Sequence, residues 1–183
     1  MGGSNLGAWI LREVFMDTIR VPVSIVPGYR VPARVNNETL YILSSYSGTT
    51  EEVLSVYKQA RKQKAKILIL STGGKLEKLM KRDRLPGLIF SPKYNPSGQP
   101  RLGIGYSIFG MMELFFKTGL TKINKREVSE ILELLVKNNE LLSQENNTNK
   151  NVAKKIAVDI EKQIPVLVGA EFLVGNLHTM RNQ

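Results

Sequence analysis

Residues 40–54, LYILSSYSGTTEEVL, constrain the fold of this chain more than any other segment. A short apolar run from Leu40 to Leu43 has the make-up of a buried strand. It ends in a cluster of hydroxyls around Gly48, and a helical pattern begins directly afterwards at Thr50. A strand, a tight loop and a helix start in that order is the repeating unit of a parallel sheet covered by helices. The loop also carries chemistry. A helix N-terminus presents unpaired N–H groups and the positive end of the helix dipole, so it attracts anions. Hydroxyls add donors that rotate onto phosphate oxygens. An N-cap by Thr49 or Thr50 accounts for one hydroxyl. Ser44, Ser45 and Ser47 together with both threonines exceed that need, and an anion such as the phosphate of a small metabolite is the reading they favour.

The same alternation runs through the first part of the chain. The pattern predicts a helix over 6–18 and a strand over 21–26 closed by Pro27-Gly28. It then predicts a strand over 40–44, a helix over 50–63, a strand over 66–70, a short helix over 75–81 and a short strand over 88–90. Residues 91–100 hold three prolines, Gly98 and Asn95 and read as an irregular loop. An apolar stretch from Leu102 to Gly119 suits a buried helix, and its glycines at 103, 105 and 110 argue against a membrane span. Helical spacing resumes over 128–142 and again over 152–160, on either side of the polar break 146–149. Ile164 to Val168 reads as a further strand leading into a helix.

Ser45-Tyr46-Ser47-Gly48-Thr49-Thr50 resembles the S-x-S-G-x-T phosphate loop of sugar isomerase (SIS) domains. Met1-Gly2-Gly3-Ser4-Asn5-Leu6-Gly7 resembles the first glycine-rich loop of that family. Ser71-Thr72-Gly73-Gly74-Lys75-Leu76 resembles a third loop, typical of its bifunctional phosphoglucose/phosphomannose isomerase branch. The resemblance spans nearly the whole chain. It implies an α/β fold with a flavodoxin-like parallel sheet (one SIS domain), followed by linker helices and the start of a second SIS domain. The expected divisions are residues 1–119, 120–163 and 164–183. The first loop of the family follows a buried strand, and the second domain continues well past the equivalent of Gln183, so the resemblance makes this a piece truncated at both ends. Without its parallel neighbours, the segment 164–168 is expected to present apolar surface.

The implied function is aldose–ketose isomerisation between glucose 6-phosphate or mannose 6-phosphate and fructose 6-phosphate, without metal or organic cofactor. Such a reaction needs a base at C1/C2, a group that stabilises the enediolate, and a clamp on the distant phosphate. The resemblance puts Ser45, Ser47 and Thr50 on the phosphate, assisted by backbone N–H groups of Gly48 and Thr49. It puts Gly3 and Ser4 against the sugar. Arg101, after Pro100, resembles the family arginine that stabilises the enediolate, with a surface or helix-capping arginine as the plain alternative. Arg181-Asn182-Gln183 matches the lead-in to the segment that supplies the family's basic glutamate, which lies beyond it. His178 does not match the family's ring-opening histidine and reads as a packing or surface residue. Glu51 and Glu52 read as first-turn residues favoured by the dipole, and Glu171 does not match the base either. A second reading from a different class is a non-catalytic, phosphosugar-sensing SIS domain that regulates a partner.

Composition narrows the remaining classes. The chain has 183 residues, a formal charge of +10 and no cysteine, so disulfides and thiolate chemistry are excluded. A single histidine excludes a multi-histidine metal site in one chain. The basic residues are spread along the chain, and those at 58–66 lie on and after a helix with an apolar face. Few aromatics lie among them, so a solvated surface explains them better than a nucleic-acid site. With no apolar run of membrane length and no signal-like start, neither a membrane nor nucleic acid is an expected partner, and the resemblance implies a phosphosugar. A cytoplasmic location is the corresponding expectation, and the resemblance implies a homodimeric intact protein.

Overall fold

The computed structural model describes residues 3–181. Residues up to Thr121, together with those from Gly169 onward, form one compact unit, and Lys122–Val168 form a second. The first unit is built on an open parallel sheet of β1 (Leu40–Ser45), β2 (Lys66–Ser71) and β3 (Gly87–Ile89), in the order β1-β2-β3. Leu40 lies opposite Lys66 and Ser45 opposite Ser71, while Ser71 also lies opposite Ile89. The carboxyl ends of β1 and β2 are thus level, and the loops leaving them emerge side by side.

The central strand explains the layering. Ile67, Leu68, Ile69 and Leu70 are all buried, as a strand covered on both faces requires. Alternation sends Ile67 and Ile69 to one face, where Leu43, Val56, Tyr57, Ala60 and Leu76 join them from β1, α2 (Glu51–Lys62) and α3 (Gly74–Arg82). Leu68 and Leu70 face the other side, with Leu11 of α1 (Leu6–Val14) and Met111, Leu114 and Phe115 of α4 (Ile104–Lys117). Each buried Val, Leu, Ile, Met or Phe side chain among them contributes about 1.5–3 kcal/mol relative to its exposed state. The later helices are α5 (Lys125–Leu141) and α6 (Val152–Asp159) in the second unit, and α7 (Val174–Arg181) in the first. Asn124 and Asn151 cap α5 and α6: Asn124 accepts from the Arg126 amide, and Asn151 from the Ala153 and Lys154 amides. Among the described residues no helix is long and apolar enough to cross a membrane.

Two expected strands are absent. Residues 21–26 and 164–168 are irregular. A strand exists only where a neighbour takes its N–H and C=O groups, and neither segment pairs with one. Pro22 and Pro165 also remove a donor from each. In the second segment Ile164, Val166 and Val168 are exposed. The helix expected over 6–18 is helical to Val14 and continues as turns to Thr18. The apolar stretch from 102 enters its helix through a 3-10 turn over Pro100–Gly103.

Candidate functional site

The three loops singled out in the sequence meet at the carboxyl ends of β1 and β2. The first loop joins the second through Ser4. Its Oγ accepts the Tyr46 N–H at 2.8 Å, and its carbonyl oxygen accepts the Ser44 hydroxyl at 2.8 Å and the Ser107 hydroxyl of α4 at 3.2 Å. Gly3 closes against the polypeptide at Arg101: a Cβ on Gly3 would lie 2.9 Å from the Arg101 nitrogen. The second loop joins the third through Tyr46, whose carbonyl oxygen accepts the Thr72 N–H at 3.0 Å and the Thr72 hydroxyl at 2.7 Å. Gly48, at φ +66°, sits where any Cβ would collide with the Gly73 carbonyl. Met1 and Gly2 of the first loop lie outside the described residues, as do Asn182 and Gln183 after Arg181.

Within the second loop the hydroxyls divide into two groups. Ser45 is 1 % exposed. Its Oγ accepts the Gly48 N–H at 3.1 Å and shares a hydrogen bond of 2.7 Å with the Thr50 hydroxyl. Ser47, Thr49 and Thr50 are exposed at the mouth. The Thr49 N–H and hydroxyl donate to Ser47 Oγ at 3.3 and 3.0 Å. The expected threonine cap of α2 does not form: Thr50 occupies the cap position, yet its hydroxyl turns to Ser45 and caps no amide. The hydroxyl is drawn inward because Ser45 is buried and needs a partner. The first-turn amides of α2 therefore face the loop mouth without a side-chain cap, beside the exposed hydroxyls of Ser47 and Thr49.

Arg101 is exposed in the 3-10 turn between β3 and α4. A small cleft beside its neighbour Pro100 is lined also by Ser4, Ser44, Tyr46, Leu70, Phe90 and Ser107. His178 lies elsewhere, its ring packed on Trp9 at 4.4 Å on the α7–α1 contact. Glu51 and Glu52 lie in the first turn of α2. Among the described residues no three His, Asp or Glu side chains converge as a metal-holding group. Sequence reasoning gave no role to the side chains of Tyr46, Asn95 and Ser107, although all three are buried at this junction. Tyr46 had a signal, since it lies within the loop motif itself. Asn95 had none, because in an Asn-Pro-Ser-Gly run it reads as a turn former.

This geometry defines an α/β protein with a cluster of hydroxyl-bearing loops and one arginine at the carboxyl edge of a parallel sheet, the usual place for a ligand on such sheets. No protein-family model matches the chain. It is 36% identical over 170 residues to the bifunctional phosphoglucose/phosphomannose isomerase of Caldicellulosiruptor bescii, covering 92% of this chain and 49% of that protein. It is 32% identical over 171 residues to the protein of the same name from Thermoplasma volcanium, covering 93% of this chain and 49% of that one. The Aquifex aeolicus protein of that name is 30% identical over 169 residues, 91% of this chain and 47% of its own length. By sequence the chain belongs to the bifunctional phosphoglucose/phosphomannose isomerase family, and it spans about half the length of the curated relatives it matches.

Proposed function

We propose that this chain carries the phosphate clamp and the enediolate-stabilising arginine of an aldose–ketose isomerase acting on glucose 6-phosphate or mannose 6-phosphate and fructose 6-phosphate. The observation that carries the reading is the second loop: exposed Ser47 and Thr49 hydroxyls stand beside an uncapped helix start, on a chain whose relatives bear that isomerase name. The substrate phosphate binds at the hydroxyls of Ser47, Thr49 and Thr50; Ser45, which the resemblance also puts on the phosphate, is buried and serves the loop instead. Ser45 holds the Gly48 turn from below, and the hydrogen bonds now closed within the loop exchange for phosphate oxygens on binding. Gly3 and Ser4 line the sugar, and Arg101 stabilises negative charge on the enediolate oxygen as the proton moves between C1 and C2.

The base that moves this proton is assigned to the half of the relatives' length that this chain does not match. Glu51 and Glu52 are placed for the helix dipole instead. In domain terms, residues 1–119 form the first sugar isomerase domain, 120–163 the linker helices, and 164–183 the beginning of a second such domain. The separate packing of Lys122–Val168 supports a break near residue 121. The intact protein is a cytoplasmic homodimer in this reading.

Thermal unfolding with fructose 6-phosphate, against free fructose and inorganic phosphate, tests the clamp. A rise in melting temperature specific to the sugar phosphate, and lost in Ser47→Ala, is the expected result. A folded sample with no shift, or with the same shift from all three, would overturn the assignment.

A further inference from the structure

The turn that carries Arg101 is seated on a buried hydrogen-bond network anchored in the phosphate loop. Asn95, only 7 % exposed, uses every polar group it has. Its Nδ2 donates to the Tyr46 hydroxyl at 2.7 Å and to the Gln99 carbonyl at 2.9 Å. Its Oδ1 accepts the Ser97 hydroxyl at 2.6 Å, its N–H donates to Pro92 and its carbonyl accepts the Gly98 N–H. The Gln99 carbonyl also accepts the Leu102 N–H at 3.1 Å, the bond that opens the turn Pro100–Gly103. The far end of the turn is fitted to the same pair: a Cβ on Gly103 would lie 2.8 Å from Asn95 Nδ2 and 2.9 Å from the Tyr46 ring. The four-residue turn is thus held by Asn95 at its start and abuts Asn95 and Tyr46 at its end, and Arg101 lies between.

We propose that Asn95, held by the Tyr46 hydroxyl, is a positioning residue that fixes Arg101 relative to the phosphate loop, so that the sugar end and the phosphate end of one ligand are gripped at a set separation. This rests on the role of Arg101 given above. The physical logic is that of a shared anchor. Tyr46 belongs to the loop that holds phosphate, so the bond its hydroxyl accepts from Asn95, which in turn holds the Gln99 carbonyl at the start of the arginine-bearing turn, ties the two halves of the site together. An irregular loop with three prolines has no ladder to set its position. A saturated, buried amide does so instead, because breaking one of its bonds leaves a buried donor unpaired.

The test compares fructose 6-phosphate and inorganic phosphate by calorimetric titration of the 183-residue chain. Asn95→Ala and Tyr46→Phe each weaken fructose 6-phosphate binding by about fivefold and leave phosphate binding within about twofold. In an Arg101→Ala background neither change weakens sugar phosphate binding further, since the residue they position is gone. A general structural role would instead lower both affinities together. Equal losses with and without Arg101 overturn the proposal while leaving the role of Arg101 intact. An Arg101→Ala chain that binds fructose 6-phosphate as well as the parent also overturns the proposal, because Arg101 then grips no part of the bound sugar. Should Asn95→Ala unfold, Tyr46→Phe keeps the ring and removes one acceptor, and the same comparison decides the matter.

Discussion

The Leu76 N–H donates to the Gly48 carbonyl at 2.9 Å, so the first turn of α3 is hydrogen-bonded to the tip of the Ser45–Thr50 loop. Leu76 is itself fully buried in the core beneath. The loop tip is thereby held by the packed interior as well as by its own hydroxyls, and the glycines at this contact are where a side chain costs most.

Gly48→Ala is expected to destabilise the chain by at least about 2 kcal/mol, because it combines a left-handed backbone with a collision against the Gly73 carbonyl. Gly105→Ala is the matched control. A Cβ there meets nothing within 4 Å and the residue lies in α4, so the change is neutral or stabilising by up to about 1 kcal/mol. Urea unfolding of both variants gives the comparison, and equal effects would contradict it.

The two serines of the loop separate by burial. Ser45→Ala removes one of the two acceptors of the Gly48 N–H, leaving the Ser45 carbonyl, and the partner of the Thr50 hydroxyl, at a cost of about 1 kcal/mol. Ser47→Ala touches only an exposed pair with Thr49 and changes stability by less than about 0.5 kcal/mol. Denaturation midpoints without ligand should rank them in that order.

The chain's single tryptophan reports the docking of α7 on α1. Trp9 packs against the His178 ring at 4.4 Å and lies under the Arg12 guanidinium at 4.5 Å. A Cβ on Gly175 would lie 2.6 Å from the Ile10 Cα, which is backbone and cannot turn aside. Gly175→Val should lift α7 from α1, and the Trp9 emission should move to longer wavelength. An unchanged spectrum would mean that the helix contact tolerates the added volume.

Burial pushes the Tyr41 phenol above the ordinary tyrosine pKa. The unfolded chain then loses this proton at lower pH than the folded one. Its titration has no effect on stability at neutral pH, and stability falls as pH rises past about 10. Tyr41→Phe should flatten that part of the stability profile. An unaltered alkaline slope would show that other groups govern it.

Much of the sheet was legible because its determinants are local. The Leu40–Ser45 and Lys66–Ser71 strands carry apolar runs ended by hydroxyl and glycine turns, and α2 begins within a residue of where Thr50 and its acidic neighbours place it. The segments 21–26 and 164–168 carry similar valine-rich runs and form no strand, since strand formation depends on a partner that a run of residues cannot specify. The threonine cap failed for a related reason: Ser45 lies only five positions before Thr50, but only the fold buries it and makes it compete for the Thr50 hydroxyl.

The sequence by itself determined the alternation of strands and helices, the chemistry of the three loops and the family to which they point. Each of these is written in contiguous residues whose propensities and hydroxyls act over a few positions. Only the tertiary structure decided which hydroxyls turn inward, that Gly3 abuts the Arg101 backbone, and that Asn95 reaches the Tyr46 hydroxyl across 49 positions of chain. Those contacts follow from how α4 and the 91–103 loop settle on the sheet, a balance of packing over the whole core that no local stretch contains.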